Sequence, residues 1–312
     1  MKAAIIDLGT NTFNLAVGER ISGKLQLLRT DSIGVGLGKG GIQLGIITRD
    51  AEHRAMQALA ELQQKAQEAG AQQLMAIGTS AMRMARNAIE LQNRCLQELG
   101  FPIQIIDGMR EAEYIFEGVK ASGALNEHSD YLLMDIGGGS VEFIHSQAAK
   151  AVWKISLEIG MARLNELFPM NDLPEAALLE EAKDWLWQQL DPLNNYLQNL
   201  NHIQLCGSAG SFDTLVALQN QGPSQQTVNL LQKSVFDLWH TRLLQMPRQE
   251  RAALPGMKPI RVDMMVYAML LIKLVNDAIG AGNISTSAWS LREGALIRLL
   301  QNMHEPNYTA PI

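Results

Sequence analysis

One short sequence phrase occurs twice in this chain of 312 residues and constrains its fold more than any other feature. The first copy covers residues 3–15 and the second covers residues 132–143. Each copy is an apolar strand-like run, an acid, a glycine turn with a hydroxyl, and a second strand-like run. The matching positions are Asp7 with Asp135, Gly9 with Gly137, Thr12 with Ser140, and Leu15 with Phe143. The repeat predicts two similar halves.

The chemistry of the repeated phrase favours a phosphorylated ligand. A tight hairpin directs backbone N–H groups and a hydroxyl toward one point, which suits a phosphate. The acid before the turn can hold a hydrated divalent cation beside that phosphate. A single copy would be an ordinary turn, but a structural turn has no need to keep acid and hydroxyl in register twice. We therefore expect two halves that hold one phosphorylated ligand from both sides.

Composition sets the class of protein and of ligand. Hydrophobic residues make up 47% of the chain and charged residues 19%, the balance of a globular protein long enough for two domains. The formal net charge of −6 argues against general nucleic-acid binding, which needs a basic surface. A polyanionic substrate stays compatible with that charge, because local Arg and Lys groups and metal ions can outweigh the total.

Cysteine content and apolar runs bear on location. The two cysteines, Cys95 and Cys206, have neither disulfide-framework nor zinc-site spacing. No basic segment followed by an apolar stretch opens the chain, and the apolar run at residues 264–275 is interrupted by Lys273. We expect a cytoplasmic protein that does not bind membranes.

The order of patterns along the chain predicts an α/β fold. The predicted strands are residues 2–7, 13–17, 25–30, 74–77, 103–106, 202–206 and 283–285. The predicted helices are residues 50–69, 88–99, 111–120, 173–198, 212–218, 228–244, 262–279 and 291–303, with a break or kink at Pro192.

A polar stretch at residues 122–130 marks the predicted domain boundary. It gives an N-terminal domain of residues 1–124 and a C-terminal domain of residues 125–312. The last helix, at about residues 291–304, is open to packing back on the N-terminal domain. Residues 305–312 are predicted to form a loose tail.

A third glycine-rich turn, at Gly207 and Ser208, follows a predicted strand and precedes a helix. A turn into a helix N-terminus offers free amides and the positive end of the helix dipole to an anion. Taken alone, it would be an ordinary strand-to-helix turn.

Together the three turns resemble the superfold of actin-like ATPases, sugar kinases and Hsp70. Within it, the whole chain resembles the exopolyphosphatase and guanosine pentaphosphate phosphatase family. The matching phrases are DLGTNT (7–12), GTSAMR (78–83), GMREA (108–112), GMARL (160–164), DIGGGSVE (135–142), RVD (261–263) and LREG (291–294). The implied fold class is α/β, with two actin-like (ribonuclease H-like) domains and an interdomain cleft. The domains are expected to close on substrate about a hinge near residues 122–130.

The resemblance also implies site residues. Glu111 is the implied catalytic carboxylate, which orients or deprotonates an attacking water. The implied ligands of Mg²⁺ or Mn²⁺ are Asp7, Asp135 and Glu142. The implied phosphate contacts are Gly9, Thr10, Asn11, Thr12, Ser80, Arg83, Gly137, Gly138, Gly139, Ser140, Gly207 and Ser208.

Plainer interpretations stand beside these roles. Glu111 could be only a helix N-terminal charge. Arg83 could be a surface arginine like its neighbour Arg86. Glu142 could be a strand residue that faces solvent.

The chain departs from the family pattern at Arg110 and Glu113, where the charge order is partly reversed. This departure leaves the catalytic assignment in place but changes the field expected around it. Glu113 and Glu117 are expected on a solvated helix face.

The resemblance implies a hydrolase that removes terminal phosphates from inorganic polyphosphate, from guanosine pentaphosphate, or from both. Two other classes stay open. One is a nucleotide-binding sensor or scaffold with little hydrolysis, and the other is a phosphotransferase with a second acceptor pocket. The oligomeric state is not fixed by the sequence, and a homodimer is compatible with it.

Overall fold

The structure is a computed structural model that describes residues 1–200 and 202–303. It is a mixed α/β structure with two sheets, one of five strands and one of six. The chain divides into two compact units, which are described separately below. Unit 1 is Met1–Ala121 together with the segment that begins at Ser290, and unit 2 is Ser122–Trp289. The domain ranges 1–124 and 125–312 remain a prediction, and the predicted loose tail at residues 305–312 lies outside the described residues.

The sheet of unit 1 has the strand order β3-β2-β1-β4-β5. Its strands are β1 Lys2–Leu8, β2 Thr12–Ile21, β3 Lys24–Gly34, β4 Gln73–Gly78 and β5 Ile103–Ile105. The first three strands are antiparallel neighbours, whereas β4 runs parallel to β1 and β5 runs parallel to β4. The carboxyl ends of β1 and β4 therefore meet at one edge of the sheet, where the first turn lies.

The helices of unit 1 pack on its sheet and carry three of its candidate site residues, Ser80, Arg83 and Glu111. They are α1 Arg49–Glu68, α2 Ser80–Met84, α3 Ala88–Leu99, α4 Gly108–Ser122 and α12 Leu291–Asn302. Helix α1 begins at Thr48, whose hydroxyl accepts a hydrogen bond from the Ala51 N–H at 3.3 Å. Its buried face, which includes Leu59 and Leu62, packs into the core of the unit.

Helices α4 and α12 touch through their backbones. A Cβ atom on Gly118 would overlap the carbonyl oxygen of Ser290, and one on Gly294 would overlap that of Tyr114. Only glycine allows this approach, because any larger residue would meet backbone atoms that cannot move aside. Helix α12 also packs on β1 and β2, so it connects α4 to the sheet.

The sheet of unit 2 has the strand order β10-β11-β9-β6-β7-β8. Its strands are β6 Tyr131–Ile136, β7 Val141–Gln147, β8 Lys150–Leu157, β9 Gln204–Ser208, β10 Val228–Leu231 and β11 Ile284–Ser287. Its helices are α5 Met161–Leu167, α6 Ala176–Gln189, α7 Asp191–Leu197, α8 Gly210–Asn220, α9 Lys233–Leu243, α10 Arg248–Ala252 and α11 Met264–Ile279. A 3-10 turn covers Pro259–Arg261.

Residues 228–244 are not the single helix that the sequence predicts. Val228–Leu231 is a strand that pairs antiparallel with β11, and the helix begins only at Lys233. Periodicity over four residues cannot separate a strand from a helix, and the strand partner is more than fifty residues away in sequence. By contrast, the predicted break at Pro192 is confirmed, because α7 begins with this proline in its first turn.

The apolar run at residues 264–275 forms most of α11, the central helix of unit 2. Eight consecutive side chains, residues 265–272, are buried against the surrounding helices and the sheet. None of the helices in the described part of the chain combines the length and apolarity needed to cross a membrane. The run is therefore part of a protein core.

Candidate active site

The two repeated phrases form hairpins with the same register. Asp7 on β1 lies opposite Asn14 on β2, and Asp135 on β6 lies opposite Glu142 on β7, seven residues along the chain in each case. Residues directly opposite each other in an antiparallel pair project from the same face of the sheet. Each acid therefore stands beside a second polar side chain.

The glycine of each turn occupies an equivalent position. A Cβ atom on Gly9 would lie 2.8 Å from the carbonyl oxygen of Thr12, and one on Gly137 would lie 2.8 Å from that of Ser140. No real Cβ tolerates so short a distance to a backbone oxygen, so both positions require glycine. The sequence repeat is thus a structural repeat down to the backbone.

The carbonyl groups of the second turn are bound by the segment that starts α5. The Gly160 N–H donates to the carbonyl oxygen of Gly139 at 3.0 Å. The N–H groups of the next two residues, 161 and 162, donate to the carbonyl oxygens of Gly137 at 3.1 Å and Gly138 at 2.8 Å, respectively. In a trans peptide the N–H points away from the C=O that precedes it. The N–H groups of residues 138–140 are therefore directed away from α5, as an anion-binding turn requires.

The first turn is supported by the glycine-rich loop after β3. The N–H groups of Val35 and Gly36 donate to the carbonyl oxygen of Asn11 at 2.9 and 2.8 Å, and that of Gly38 donates to Thr10 at 3.0 Å. The N–H groups that follow these two carbonyls are directed away from the loop by the same geometry. In both predicted phosphate turns the carbonyl groups thus accept hydrogen bonds from neighbouring backbone, and the N–H groups point the other way.

The third turn connects β9 to α8 and contacts the second acid. The Ser208 hydroxyl donates to the Asp135 carboxylate at 2.5 Å, although 73 residues separate them in sequence. The ring of Phe212 occupies the space beside the Gly207 Cα, so a Cβ atom at this position would overlap the ring. Ala209 has φ +66° and ψ −175°, a backbone region used almost only by glycine and worth about 1–3 kcal/mol of strain.

A row of polar side chains crosses the sheet of unit 2. Ser156, Glu142, Asp135, Ser208 and Ser287 are register partners on five neighbouring strands. The Ser156 hydroxyl donates to the Glu142 carboxylate at 2.7 Å. Glu142 is only 1% exposed, so its interpretation as a solvent-facing strand residue is wrong.

The donor set of this row fits a hard divalent cation. Asp135 and Glu142 bring two buried carboxylates to adjacent strand positions, while Asp7 belongs to unit 1, where it accepts a hydrogen bond from the Asn14 amide at 3.1 Å. Within residues 1–200 and 202–303, no three His, Cys, Asp or Glu side chains are grouped as a ligand set. Mg²⁺ is commonly held by one or two carboxylates, with water and phosphate oxygens completing its shell.

In unit 1, Glu111 and Arg83 form an ion pair. Glu111 stands in the first turn of α4, is 7% exposed, and lies 2.9 Å from the Arg83 guanidinium. Arg83 also donates to the carbonyl oxygen of Ile106 at 3.2 Å. Arg86, by contrast, is exposed and donates to Leu44. A helix dipole alone requires neither burial nor an ion pair at Glu111.

Helix α2 places Arg83 beside α4. It begins at Ser80, which is 2% exposed, and the hydroxyl of the preceding Thr79 donates to the Leu8 carbonyl at 3.2 Å. The predicted phosphate contact Ser80 therefore lies at the edge where β1 and β4 end, close to the first turn.

The reversed charges near Glu111 neutralise each other. Arg110 and Glu113 form an ion pair of 2.8 Å, and the Arg110 guanidinium lies 4.8 Å from the centre of the Tyr114 ring. Glu117 does not simply face solvent, because its carboxylate accepts hydrogen bonds of 2.6 and 2.7 Å from the Arg298 guanidinium of α12. The departure from the family pattern produces local pairs rather than an unbalanced field.

Arg261, which was not among the predicted site residues, reaches the third turn. Its guanidinium lies where a Cβ atom on Gly210 would be, and it donates to the Thr214 hydroxyl at 3.1 Å. Burial lowers the pKa of Arg261 and Asp213 opposes that shift, but an arginine stays charged at neutral pH. Arg261 begins the sequence phrase RVD (261–263), but no spacing in the sequence connects that phrase to Gly210.

Comparison with known proteins identifies the family and the fold. The profile of the Ppx/GppA phosphatase family matches residues 16–303. The chain belongs to the Ppx/GppA phosphatase family. The predicted α/β, actin-like fold class is confirmed, since a crystal structure of an exopolyphosphatase from Cytophaga hutchinsonii superposes with a TM-score of 0.91. That structure is 35% identical and the match covers 96% of this chain and 98% of the other.

Two further Ppx/GppA relatives extend the comparison. The crystal structure of the Aquifex aeolicus family member has a TM-score of 0.81 and 24% identity, with 98% of this chain and 99% of the other covered. The guanosine-5'-triphosphate,3'-diphosphate pyrophosphatase of Vibrio cholerae is 25% identical over 308 residues, which is 98% of this chain. This chain spans 61% of the length of that relative.

Proposed function

We propose that this protein is an exopolyphosphatase that releases terminal orthophosphate from inorganic polyphosphate, with guanosine pentaphosphate as a second substrate. The family membership supports hydrolysis of a phosphoanhydride, and the similar solved structure of an exopolyphosphatase supports polyphosphate. The Vibrio cholerae relative supports the guanosine substrate. The observation that carries the proposal is the buried carboxylate of Glu111 paired with Arg83 beside a phosphate-binding turn.

Glu111 is the proposed base. Its carboxylate orients the attacking water and accepts a proton from it as the water oxygen bonds to the terminal phosphorus. The bond from that phosphorus to the bridging oxygen breaks in the same step, so orthophosphate forms and the shortened chain leaves with the electron pair on its new terminal oxygen. Arg83 holds this carboxylate and has a planar fork that can grip phosphate oxygens bidentately. The ion pair keeps both groups at fixed positions before substrate arrives.

The turns supply the electrostatic part of the mechanism. The N–H groups of residues 138–140, those of the first turn, and the hydroxyls of Thr12 and Ser140 are the proposed donors to phosphate oxygens. Such preformed donors stabilise charge that develops on the transferred phosphoryl group. Arg261, beside the third turn, is added to this set as a proposed phosphate contact.

Asp135 and Glu142 are the proposed holders of Mg²⁺ or Mn²⁺ in unit 2, and Asp7 is the proposed carboxylate of unit 1. A bound cation would supply neutralisation of phosphate charge. Ser208 and Ser156 fix the orientation of the two unit 2 carboxylates through their hydrogen bonds. Full activity in excess chelator would contradict this part of the proposal.

The test replaces Glu111 by Gln, which keeps the shape and removes the charge. We expect turnover to fall roughly 10²–10⁴-fold, the span for a lost general base, with KM largely unchanged. Phosphate release is measured with long-chain polyphosphate, guanosine pentaphosphate and ATP. Glu113→Gln is the matched control, because Glu113 lies on the same helix but pairs with Arg110.

The same assay separates the other function classes. A sensor or scaffold would bind these compounds without releasing phosphate, and a phosphotransferase would transfer the phosphoryl group to an acceptor instead of releasing orthophosphate. Wild-type turnover in Glu111→Gln would remove the assignment of the base. We also propose a cytoplasmic location, because both cysteines are free and buried, as is common in reducing compartments.

A further inference from the structure

Arg251, on α10, is the largest fully buried side chain in the described part of unit 2. Its exposure is 0%, and burial lowers the pKa of its guanidinium while Asp263 opposes that shift. Removing a guanidinium from water is costly, and apolar replacements of buried ionic groups are often no less stable. The cost of burying this cation must therefore be offset by the contacts that it makes.

The contacts of Arg251 show what the cation does. Its Nε donates to the carbonyl oxygen of Val262 at 3.1 Å, and its Nη1 donates to those of Met246 at 2.7 Å and Asp172 at 3.5 Å. Its Nη2 lies 3.5 Å from a carboxylate oxygen of Asp263. The planar guanidinium thus connects three chain segments and holds the backbone of Val262 and the side chain of Asp263 in place.

The fixed residues directly follow Arg261, whose guanidinium lies over Gly210 at the start of α8. A cation at a helix N-terminus is opposed by the helix dipole. Its hydrogen bond to the Thr214 hydroxyl offsets only part of that repulsion. The place of Arg261 must therefore be held by its own backbone, in the 3-10 turn Pro259–Arg261 that ends beside Val262.

We propose that Arg251 is a positioning residue that holds Arg261 over the third turn in the orientation that contacts phosphate. This inference rests on the proposed function, in which Arg261 is a phosphate contact. Arg251 itself touches no substrate, because its side chain is fully buried. Its effect reaches the substrate only through Arg261.

The experiment is a double-mutant cycle on phosphate affinity. Arg251→Met, Arg261→Ala and the double variant are made in the slow Glu111→Gln background, and the Kd for tripolyphosphate is measured by calorimetry. We expect Arg261→Ala to weaken binding roughly 10- to 100-fold, the span for one lost charge-assisted hydrogen bond. Arg251→Met is expected to weaken it about tenfold alone, and to add nothing once Arg261 is absent.

Arg248→Ala is the matched control. Arg248 lies on the same helix and contacts the same Asp263, at 2.9 and 3.2 Å, but its side chain is 53% exposed. We expect its loss to change the Kd by less than about twofold, as for an exposed ion pair. Arg251→Lys keeps the charge without the fork and supplies a second variant if Arg251→Met does not fold. It should weaken binding in the same sense.

Two results would overturn the positioning role. One is a lowered thermal midpoint in the Arg251 variants with an unchanged Kd, and the other is additive losses in the double variant. If Arg261→Ala weakens binding while the Arg251 variants do not, the positioning role fails and the proposed function stands. If the Glu111→Gln protein does not bind tripolyphosphate at all, the proposed function itself fails.

Discussion

The two repeated turns have the same backbone but different chemistry across the strands. Asp7 in unit 1 lies opposite an amide, Asn14, whereas Asp135 in unit 2 lies opposite a second carboxylate, Glu142. Two adjacent carboxylates favour the binding of a hard cation. A carboxylate beside an amide, by contrast, can accept a hydrogen bond from that amide, as Asp7 does from Asn14. The two hairpins thus share one backbone geometry but carry different side chains beside the acid, so they can bind different groups.

The parallel neighbours of the two acids differ in the same way. Asp135 has Ser208 beside it on β9 and accepts its hydrogen bond, whereas Asp7 has the apolar Ile77 beside it on β4. Unit 2 therefore continues the polar row on both sides of its acid, and unit 1 continues it only toward β2 and β3, through Asn14 and Ser32. We therefore propose that the cation is held mainly by the carboxylates of unit 2, while the turns of both units contact phosphate.

The largest expected effect tests that division directly. Asp135→Asn should lower kcat about 10³-fold, because it removes one of the two proposed carboxylate ligands, a loss of about 4 kcal/mol. Asp7→Asn should lower kcat only about tenfold, since the strand neighbours of Asp7 are Asn14 and Ile77 rather than a second carboxylate. Both variants are assayed across a Mg²⁺ titration. Equal losses in the two variants would show that the acids contribute alike despite their different neighbours.

An intermediate effect is expected for the phosphate side of unit 1. Arg83→Ala should raise the KM for polyphosphate roughly 10- to 100-fold through the loss of charge-assisted hydrogen bonds. Arg86→Ala, three positions farther along the chain and exposed, should change KM less than about twofold. Steady-state kinetics on both variants decide the matter, and similar KM values for the two would remove the phosphate role of Arg83.

The smallest expected effect concerns the Ser208 hydroxyl, which lies beside Asp135 where unit 1 has Ile77 beside Asp7. Ser208→Ala should weaken the apparent affinity for Mg²⁺ about tenfold, because the Asp135 carboxylate loses the donor that orients it. Ser287→Ala is the control, since Ser287 stands in the same polar row but bonds Ser122 and the Trp289 carbonyl. An unchanged metal titration in Ser208→Ala would mean that the row is structural only.

Much of the fold could be predicted from local sequence. The first three strands, α1, α4 and the break at Pro192 depend on patterns a few residues long, and the structure confirms them. Strand β10 was missed because its pairing with β11 is long-range. Strand β8 was missed too, although it pairs with the preceding strand β7 across a short turn. Short segments acquire strand structure from their partners rather than from their own periodicity.

The sequence by itself determined the two turns and the place of Glu111. Glycine, hydroxyl and acid spacing are local, and the close backbone approach at Gly9 and Gly137 leaves no room for a residue larger than glycine. Only the tertiary structure decided which side chains meet. The pairing of Arg83 with Glu111, the bond from Ser208 to Asp135 and the place of Arg261 over Gly210 all join distant segments. Such contacts follow from how sheets and helices pack, which no local spacing encodes.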